Sequence, residues 1–319
     1  MNQTHVVFGT GALGLALIDE LGAMGLPVRA VNRSGVADVG DGIEVLGGDA
    51  SSSIFTRHAA EGAAAVYQCL SPPYHRWPEL FPALQNGVIH AAISTGARYV
   101  SLENTYMYGD TSGTPMTELT PCRAHTRKGK VRRTMAEQLQ QLHTAGELVV
   151  ATARASDYFG PRGTSQSSLG DLVIGAALAD RPSRVIGDPD QPHSYTFTRD
   201  IARTLAVLGT RDDAGGEVFH VPNAPVQTTR HIVDMISADL GFPIKISVAP
   251  RPLVRAMGLF NPTMRELDEM RYEFTQPFII DSTKATAWLG ISPTPLEEAL
   301  AETVAWFRQR TTPQPRGST

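Results

Sequence analysis

Gly9-Thr10-Gly11-Ala12-Leu13-Gly14 is the stretch of this sequence whose residue types and spacing point most directly to chemistry. In a G-x-G-x-x-G run of this kind, Gly9 allows a tight turn and Gly11 lets the backbone approach a pyrophosphate. Gly14 lets the following helix pack on the preceding strand. The chemistry implied is anion binding on free backbone N–H groups, with Thr10, Ala12 and Leu13 in the same turn, where the helix dipole favours negative charge. Some twenty residues on, where an NAD site usually places an acid for the adenosine ribose, the chain reads Asn32-Arg33-Ser34. A guanidinium flanked by an amide and a hydroxyl suits a 2′-phosphate. The expectation is therefore NADP(H) in preference to NAD(H), with Arg33 on the phosphate and Asn32 or Ser34 assisting. Against it stands Arg33 as a plain solvated loop residue.

A glycine turn carries this meaning only between a strand and a helix. Val6 to Phe8 is an apolar run of strand length. Leu15, Leu17, Ile18, Leu21 and Met24 form one helical stripe, which Gly25 and Pro27 stop, and Val28 to Val31 reads as a second strand. Ile43 to Leu46, Ala63 to Leu70, Tyr99 to Leu102 and Leu148 to Ala153 read as further strands. Helical patterning covers about Pro78 to Ala92 and Arg133 to His143. Alternating strands and helices predict an α/β fold, a Rossmann-type doubly wound parallel sheet, with ligands beyond the carboxyl ends of the strands. That rule selects Asp49 after the third strand, near an adenine or as a helix cap; Leu70, Ser71 and Pro72, beside the cofactor, with Tyr74, after the fourth; and Asn104, Thr105, Tyr106 and Tyr108 after the fifth.

Beyond Pro161 helical stretches (Leu169 to Ala179, Arg230 to Leu240, Leu296 to Arg308) alternate with short strands and proline-rich turns. They predict a smaller, interleaved C-terminal α+β substrate domain. The expected division is residues 1–165 and 195–229 for the cofactor domain, 166–194 and 230–310 for the substrate domain, and 311–319 as a flexible tail. Met257, Leu259, Phe260 and Met264, near Arg251 and Arg255, would suit an apolar or partly anionic molecule, or simply pack a helix on the core.

The 319 residues are 42% hydrophobic and 19% charged, with a formal net charge of −4. This is an ordinary globular composition that gives no reason to expect nucleic acid or an anionic membrane as partner. No stretch is long and apolar enough for a bilayer, and no leader pattern precedes the first strand, so a cytoplasmic location is expected. Cys69 and Cys122 are the two cysteines, and nine histidines are dispersed without metal-ligand spacing, so no metal site is expected. The expected partners are a small-molecule substrate and, at most, a second copy of the chain as a homodimer.

With Tyr108-Gly109, Arg154 to Asp157, Gly160-Pro161, Tyr195 through Asp200-Ile201-Ala202, Ser282 to Ala285, Leu289-Gly290 and Trp306 added to the glycine turn, nearly the whole chain resembles the extended, NAD-dependent epimerase/dehydratase-like branch of the short-chain dehydrogenase/reductases. That resemblance implies a Tyr-x-x-x-Lys pair, in which the tyrosine moves the substrate proton and the lysine lowers its pKa and holds the nicotinamide ribose. Placing Glu137 on the glutamate that commonly follows the pair puts Gly129 at the tyrosine and Arg133 at the lysine. The proton donor is absent, as in atypical members of the superfamily. Arg133 would still hold the ribose, Asn104 or Thr105 would polarise the substrate carbonyl, and Tyr106 or Tyr108 would replace the acid, aided by Lys128 or Lys130. Tyr74 would stand nearby.

The resemblance also implies diphosphate contacts from an asparagine and an arginine at positions that here carry Asp157 and His193. A carboxylate repels a diphosphate, so a nucleotide sugar is disfavoured. Three readings result. The first is an NADP(H)-dependent oxidoreductase acting on a small carbonyl or alcohol. The second is a non-catalytic NADP-binding redox sensor or regulatory protein. The third is a sugar epimerase or dehydratase, which needs the same missing acid.

Overall fold

The computed structural model describes residues 4–248, 250, 252, 259–260 and 262–311. Its centre is a sheet of seven parallel strands: β1 (Thr4–Phe8), β2 (Val28–Asn32), β3 (Glu44–Gly47), β4 (Ala63–Gln68), β5 (Arg98–Glu103), β6 (Val150–Arg154) and the strand Val218–His220. The spatial order is Val218–His220, β6, β5, β4, β1, β2, β3. The winding direction reverses between β1 and β4, which opens a crevice at the carboxyl ends of those two strands.

Strand side chains alternate between two faces, and β1 shows how the sheet is covered. Val7 joins the apolar cluster under α1 (Ala12–Ala23) and α6 (Thr198–Thr210). Val6 and Phe8 join the one under α2 (Ser53–Ala59), α3 (Trp77–Thr95) and α4 (Arg127–Thr144). Both faces being buried, the strands carry near-continuous apolar runs. α4 begins six residues before the expected Arg133. Thr126 caps it, its Oγ1 accepting from Gly129 N at 3.0 Å, and the charged run from Arg127 to Arg133 hides this first turn from an apolar-periodicity reading.

A third cluster gathers Val173 and Ile174, Ile232 and Ile236 of α7 (Thr229–Leu240), and Leu300, Val304 and Phe307 of the helix Leu296–Thr311. It also takes in Phe159 and Phe197 from a short parallel pair of strands, Asp157–Phe159 and Tyr195–Phe197. The stretch expected as one helix from Leu169 is a π-helix, Gly170–Ile174, running into a single α turn, Gly175–Leu178. Met257, Arg251, Arg255 and residues 312–319 lie outside the described residues. Leu259 and Phe260 are exposed.

A buried polar network ties the carboxyl ends of the central strands together. Glu103 of β5 and Arg154 of β6 pair at 2.9 Å. Arg154 Nη1 donates to the Tyr108 hydroxyl at 2.9 Å, which in turn lies 2.7 Å from His220 Nε2. His220 Nδ1 is 2.9 Å from the Asp281 carbonyl, so Nδ1 carries the proton and Nε2 accepts from Tyr108. Every member finds a partner, the condition under which a buried ion pair is tolerated. Removing one partner leaves a bare buried charge. Arg154→Met is expected to lower the free energy of unfolding by about 3–5 kcal/mol, measured by urea denaturation, and a loss below about 1 kcal/mol would show that the pair is solvated.

Candidate dinucleotide and substrate site

Gly9 takes φ 105°, and a Cβ added there would stand 2.7 Å from the Cys69 carbonyl oxygen. At Gly14 an added Cβ would fall 1.8 Å from the Gly9 carbonyl oxygen, so only glycine lets α1 sit this close to the turn. Gly11 is the opposite case: it is exposed, and nothing lies within 4 Å of an added Cβ. Gly11 is also the N-cap residue, and no side chain caps α1, which leaves the first backbone N–H groups facing that open space. An uncapped helix mouth under a bare glycine, at the reversal of winding, fits a dinucleotide pyrophosphate. Thr10, Ala12 and Leu13 line the same turn.

At the end of β2, Asn32 organises the loop. Its Nδ2 donates to Thr10 Oγ1 and to the Val36 carbonyl, both at 2.8 Å, and its Oδ1 accepts from Gly35 N at 2.7 Å. Asn32 is thereby engaged with protein, and Ser34 Oγ hydrogen-bonds back to it at 3.2 Å. Arg33 is exposed, and no ion-pair partner is found for it among the described residues. Its charge reaches Asp49. Asp49 Oδ1 accepts from Ser51 N and Oγ, and these bonds, with Arg33, hold its carboxyl below the usual range. The cap of α2 is Ser52, which accepts from Phe55 N. After β4, Leu70 is half-buried, Ser71 exposed and Pro72 buried, with its carbonyl on Trp77 Nε1 at 3.1 Å.

The turn after β5 and the start of α4 touch closely. A Cβ on Gly129 would stand 2.6 Å from the Tyr106 carbonyl oxygen and 2.8 Å from Thr126 Oγ1, so the position aligned with a catalytic tyrosine has no room for any side chain. Arg133 is exposed and pairs with Glu137 one turn on at 2.7 Å. Its guanidinium is on the exposed side of α4, whose buried positions include Lys128 and Arg132. Lys130 is exposed.

Lys128 is fully buried, with Nζ 3.1 Å from Glu266 and 3.7 Å from the centre of the Tyr74 ring, and it also donates to the Tyr74 carbonyl. Burial pulls its pKa down and Glu266 opposes this. Tyr74, Trp77 and Tyr106 form an aromatic group, with the Tyr74 and Tyr106 hydroxyls 3.4 Å apart. Burial raises both phenols above their ordinary value. Asn104 Oδ1 accepts from Tyr106 N at 3.4 Å and Thr105 is buried. Tyr108 sits in the interior network described above, its hydroxyl already engaged on both sides.

Asp157 and His193 meet at 2.9 Å, and the imidazole stacks between Phe274 and Phe278. Sequence reading passed over Glu273, which is 1% exposed with neither carboxylate oxygen hydrogen-bonded. Burial first, then the Asp157 charge, pushes its pKa well up. It also missed Glu266, whose position opposite Lys128 no local pattern reveals.

A doubly wound sheet with an open glycine turn at its winding reversal defines a dinucleotide-binding α/β protein. Residues 6–221 match the NAD dependent epimerase/dehydratase family, and the chain belongs to that family. Among solved structures it is similar to an epimerase from Methanothermobacter thermautotrophicus, with TM-score 0.81 and 20% identity over 97% of this chain and 93% of that one. It is similar also to Thermotoga maritima UDP-glucose 4-epimerase in complex with UDP-glucose, with TM-score 0.79 and 16% identity over 97% and 100% of the two chains. A third is Bacillus cereus UDP-glucuronic acid 4-epimerase in complex with NAD, with TM-score 0.77 and 16% identity over 97% of each chain. No curated protein matches the sequence. No helix among the described residues is long and apolar enough to cross a membrane, and no group of three metal-ligating side chains occurs among them.

The tight contact at Gly129 gives a direct test. Gly129→Ala is expected to lower stability by about 1–3 kcal/mol, the usual cost of overpacking, in a denaturant titration. A neutral outcome would show that α4 moves away from the turn at little cost.

Proposed function

We propose that the protein is a cytoplasmic NADP(H)-dependent oxidoreductase that acts on a small carbonyl or alcohol substrate other than a nucleotide sugar. The observation that carries this is the uncapped helix mouth at Gly11 with, at the end of the neighbouring strand, Arg33, which has no ion-pair partner among the described residues. Gly9 to Gly14 would hold the pyrophosphate and Arg33 the 2′-phosphate, while Asn32 and Ser34 shape the loop between them. Asp49, Leu70, Ser71 and Pro72 would border the adenosine and the rest of the cofactor. When bound, the nicotinamide supplies or accepts hydride.

The chain's own contribution is hydrogen bonding at the substrate oxygen. Tyr106 is largely buried at the carboxyl end of β5, beside Tyr74, and burial raises its pKa, which keeps the phenol protonated. A protonated phenol is a donor, suited to polarise a carbonyl and to deliver its proton as charge develops there. Asn104 or Thr105 would assist on the same oxygen. Tyr108 is the weaker candidate because Arg154 and His220 already claim its hydroxyl. Asp157 at the substrate end argues against a diphosphate.

The second reading, an NADP-binding sensor without turnover, draws on Gly129: the residue aligned with the proton donor has neither a functional group nor space for one. An epimerase or dehydratase meets the same obstacle.

Calorimetric titration of the purified protein is expected to show NADPH bound more tightly than NADH. Arg33→Ala should weaken NADPH about 10- to 100-fold, the value of one charge-assisted contact, while leaving NADH nearly unchanged; equal losses for both would refute the assignment. In NADPH oxidation with a panel of aldehydes, ketones and quinones, Tyr106→Phe should lower kcat/KM by about 100-fold or more. Tyr108→Phe should cost about 1 kcal/mol of stability and little activity. Tight cofactor binding with no turnover across the panel would favour the sensor.

A further inference from the structure

One amide ties the loop between β2 and β3 to the glycine turn. Asn32 Nδ2 donates to Thr10 Oγ1 and to the Val36 carbonyl, both at 2.8 Å. Its Oδ1 accepts from Gly35 N at 2.7 Å and from Ser34 Oγ at 3.2 Å. A carboxamide has two N–H donors and two acceptor sites, and all four are taken. The partners also fix which way round the amide lies, since the Val36 carbonyl can only accept and the Gly35 N–H can only donate. Asn32 therefore keeps nothing for a ribose hydroxyl or a phosphate.

Both ends of this link bear on a dinucleotide. Thr10 lies inside the glycine turn, beside the uncapped start of α1, and its Oγ1 accepts from Asn32. Its hydroxyl proton goes to no acceptor among the described residues and stays available for an anion. At the other end, Arg33 sits within the turn that Asn32 closes onto Gly35. That turn is pressed against β3: Gly35 takes φ 72°, and a Cβ added at Gly47 would stand 2.7 Å from Gly35 N. The Asn32 carbonyl is held as well, by Gly48 N at 2.9 Å. Arg33 is thus carried on a backbone anchored on both sides, and its side chain has the only freedom left to lose when it meets an anion.

We propose that Asn32 is a positioning residue that sets the preference for NADP(H) without touching the cofactor. Through its bonds to Thr10, Gly35 and Val36 it holds the Arg33 loop at a fixed place relative to the pyrophosphate turn, so that a 2′-phosphate meets a preorganised guanidinium. NADH has no 2′-phosphate and gains nothing from this. An acid at position 32 would not convert the site to NAD(H), although an acid is what an NAD site uses here. A carboxylate only accepts, so Asn32→Asp sets a charged oxygen against the Val36 carbonyl where an N–H now bridges them. The side chain that an NAD site turns to the ribose is here turned into its own loop.

This role rests on the NADP(H) reading of the glycine turn and Arg33, and the two fail differently. The full-length protein and its Asn32→Ala, Arg33→Ala, double Ala and Asn32→Asp variants are titrated calorimetrically with NADPH and with NADH. Asn32→Ala is expected to weaken NADPH about tenfold and NADH by no more than about threefold. Because Asn32 acts through Arg33, the double variant should bind NADPH within about threefold of Arg33→Ala alone. Asn32→Asp should weaken NADPH and leave NADH no tighter. Amide exchange at Gly35 in the cofactor-free protein should be at least about tenfold faster in Asn32→Ala, a readout that needs no cofactor. Losses that add in the double variant, equal losses for the two cofactors, NADH tightened tenfold or more by Asn32→Asp, or unchanged exchange at Gly35 would each overturn the role of Asn32 while leaving Arg33 on the 2′-phosphate. A wild-type protein that prefers NADH, or binds neither cofactor, would remove the NADP(H) reading and the role together.

Discussion

The contact between the first turn of α4 and the turn after β5 governs what this site can do. The backbone of α4 comes so close to Tyr106 that a single methyl group at Gly129 would meet its carbonyl oxygen. From that closeness the rest follows. Lys128 is driven inward onto the Tyr74 ring and needs Glu266 to balance it. Arg133 is carried to the outer face, where it pairs with Glu137. Tyr106 stays at the strand ends as a phenol with few competing partners. The family scaffold is intact while Gly129 leaves no room for a side chain at this point of α4, and function belongs to the site rather than to the fold.

The same strand ends carry two polar groups of opposite character. Glu103, Arg154, Tyr108 and His220 form a closed chain in which each donor meets an acceptor, and such a chain fixes β5 against β6 and the strand Val218–His220 without needing a ligand. Glu273 and its neighbour Tyr272 form an open one, with side-chain oxygens left unpaired among the described residues. A low-dielectric surrounding strengthens satisfied groups and penalises unsatisfied ones, so the closed group contributes to stability while the open one is held in place by the packing around it. The closed group also separates two tyrosines that look equivalent in the sequence, since it includes Tyr108, whereas the Tyr106 hydroxyl meets that of Tyr74.

The sheet was legible because its strands are buried on both faces and show as apolar runs, with the glycine turn in register between the first strand and its helix. The alternation of Val6 and Phe8 against Val7 is what a covered parallel strand requires. The start of α4 was not legible: Thr126 caps a turn made of Arg127, Lys128 and Lys130, and charged residues carry no apolar period. Likewise the stretch from Leu169 has the composition of one helix, but Gly170 packs against the backbone of Gly163 and Thr164, and the chain winds as a π-helix there. Within the site, the residues after each strand could be picked out from topology alone. Glu266 and Glu273 could not, since they come from the far end of the chain and acquire meaning only when it folds back over β4 and β5.

Charge at Asp157 and His193 departs from what the family resemblance leads one to expect. The family resemblance implies an amide and a guanidinium where this chain has Asp157 and His193, and those two satisfy one another at 2.9 Å. The imidazole is sandwiched by Phe274 and Phe278 and cannot swing toward a ligand without breaking both stacks. Lys128 and Arg127 both pair with the one Glu266 carboxylate, and Glu269 accepts from the Arg127 backbone N–H.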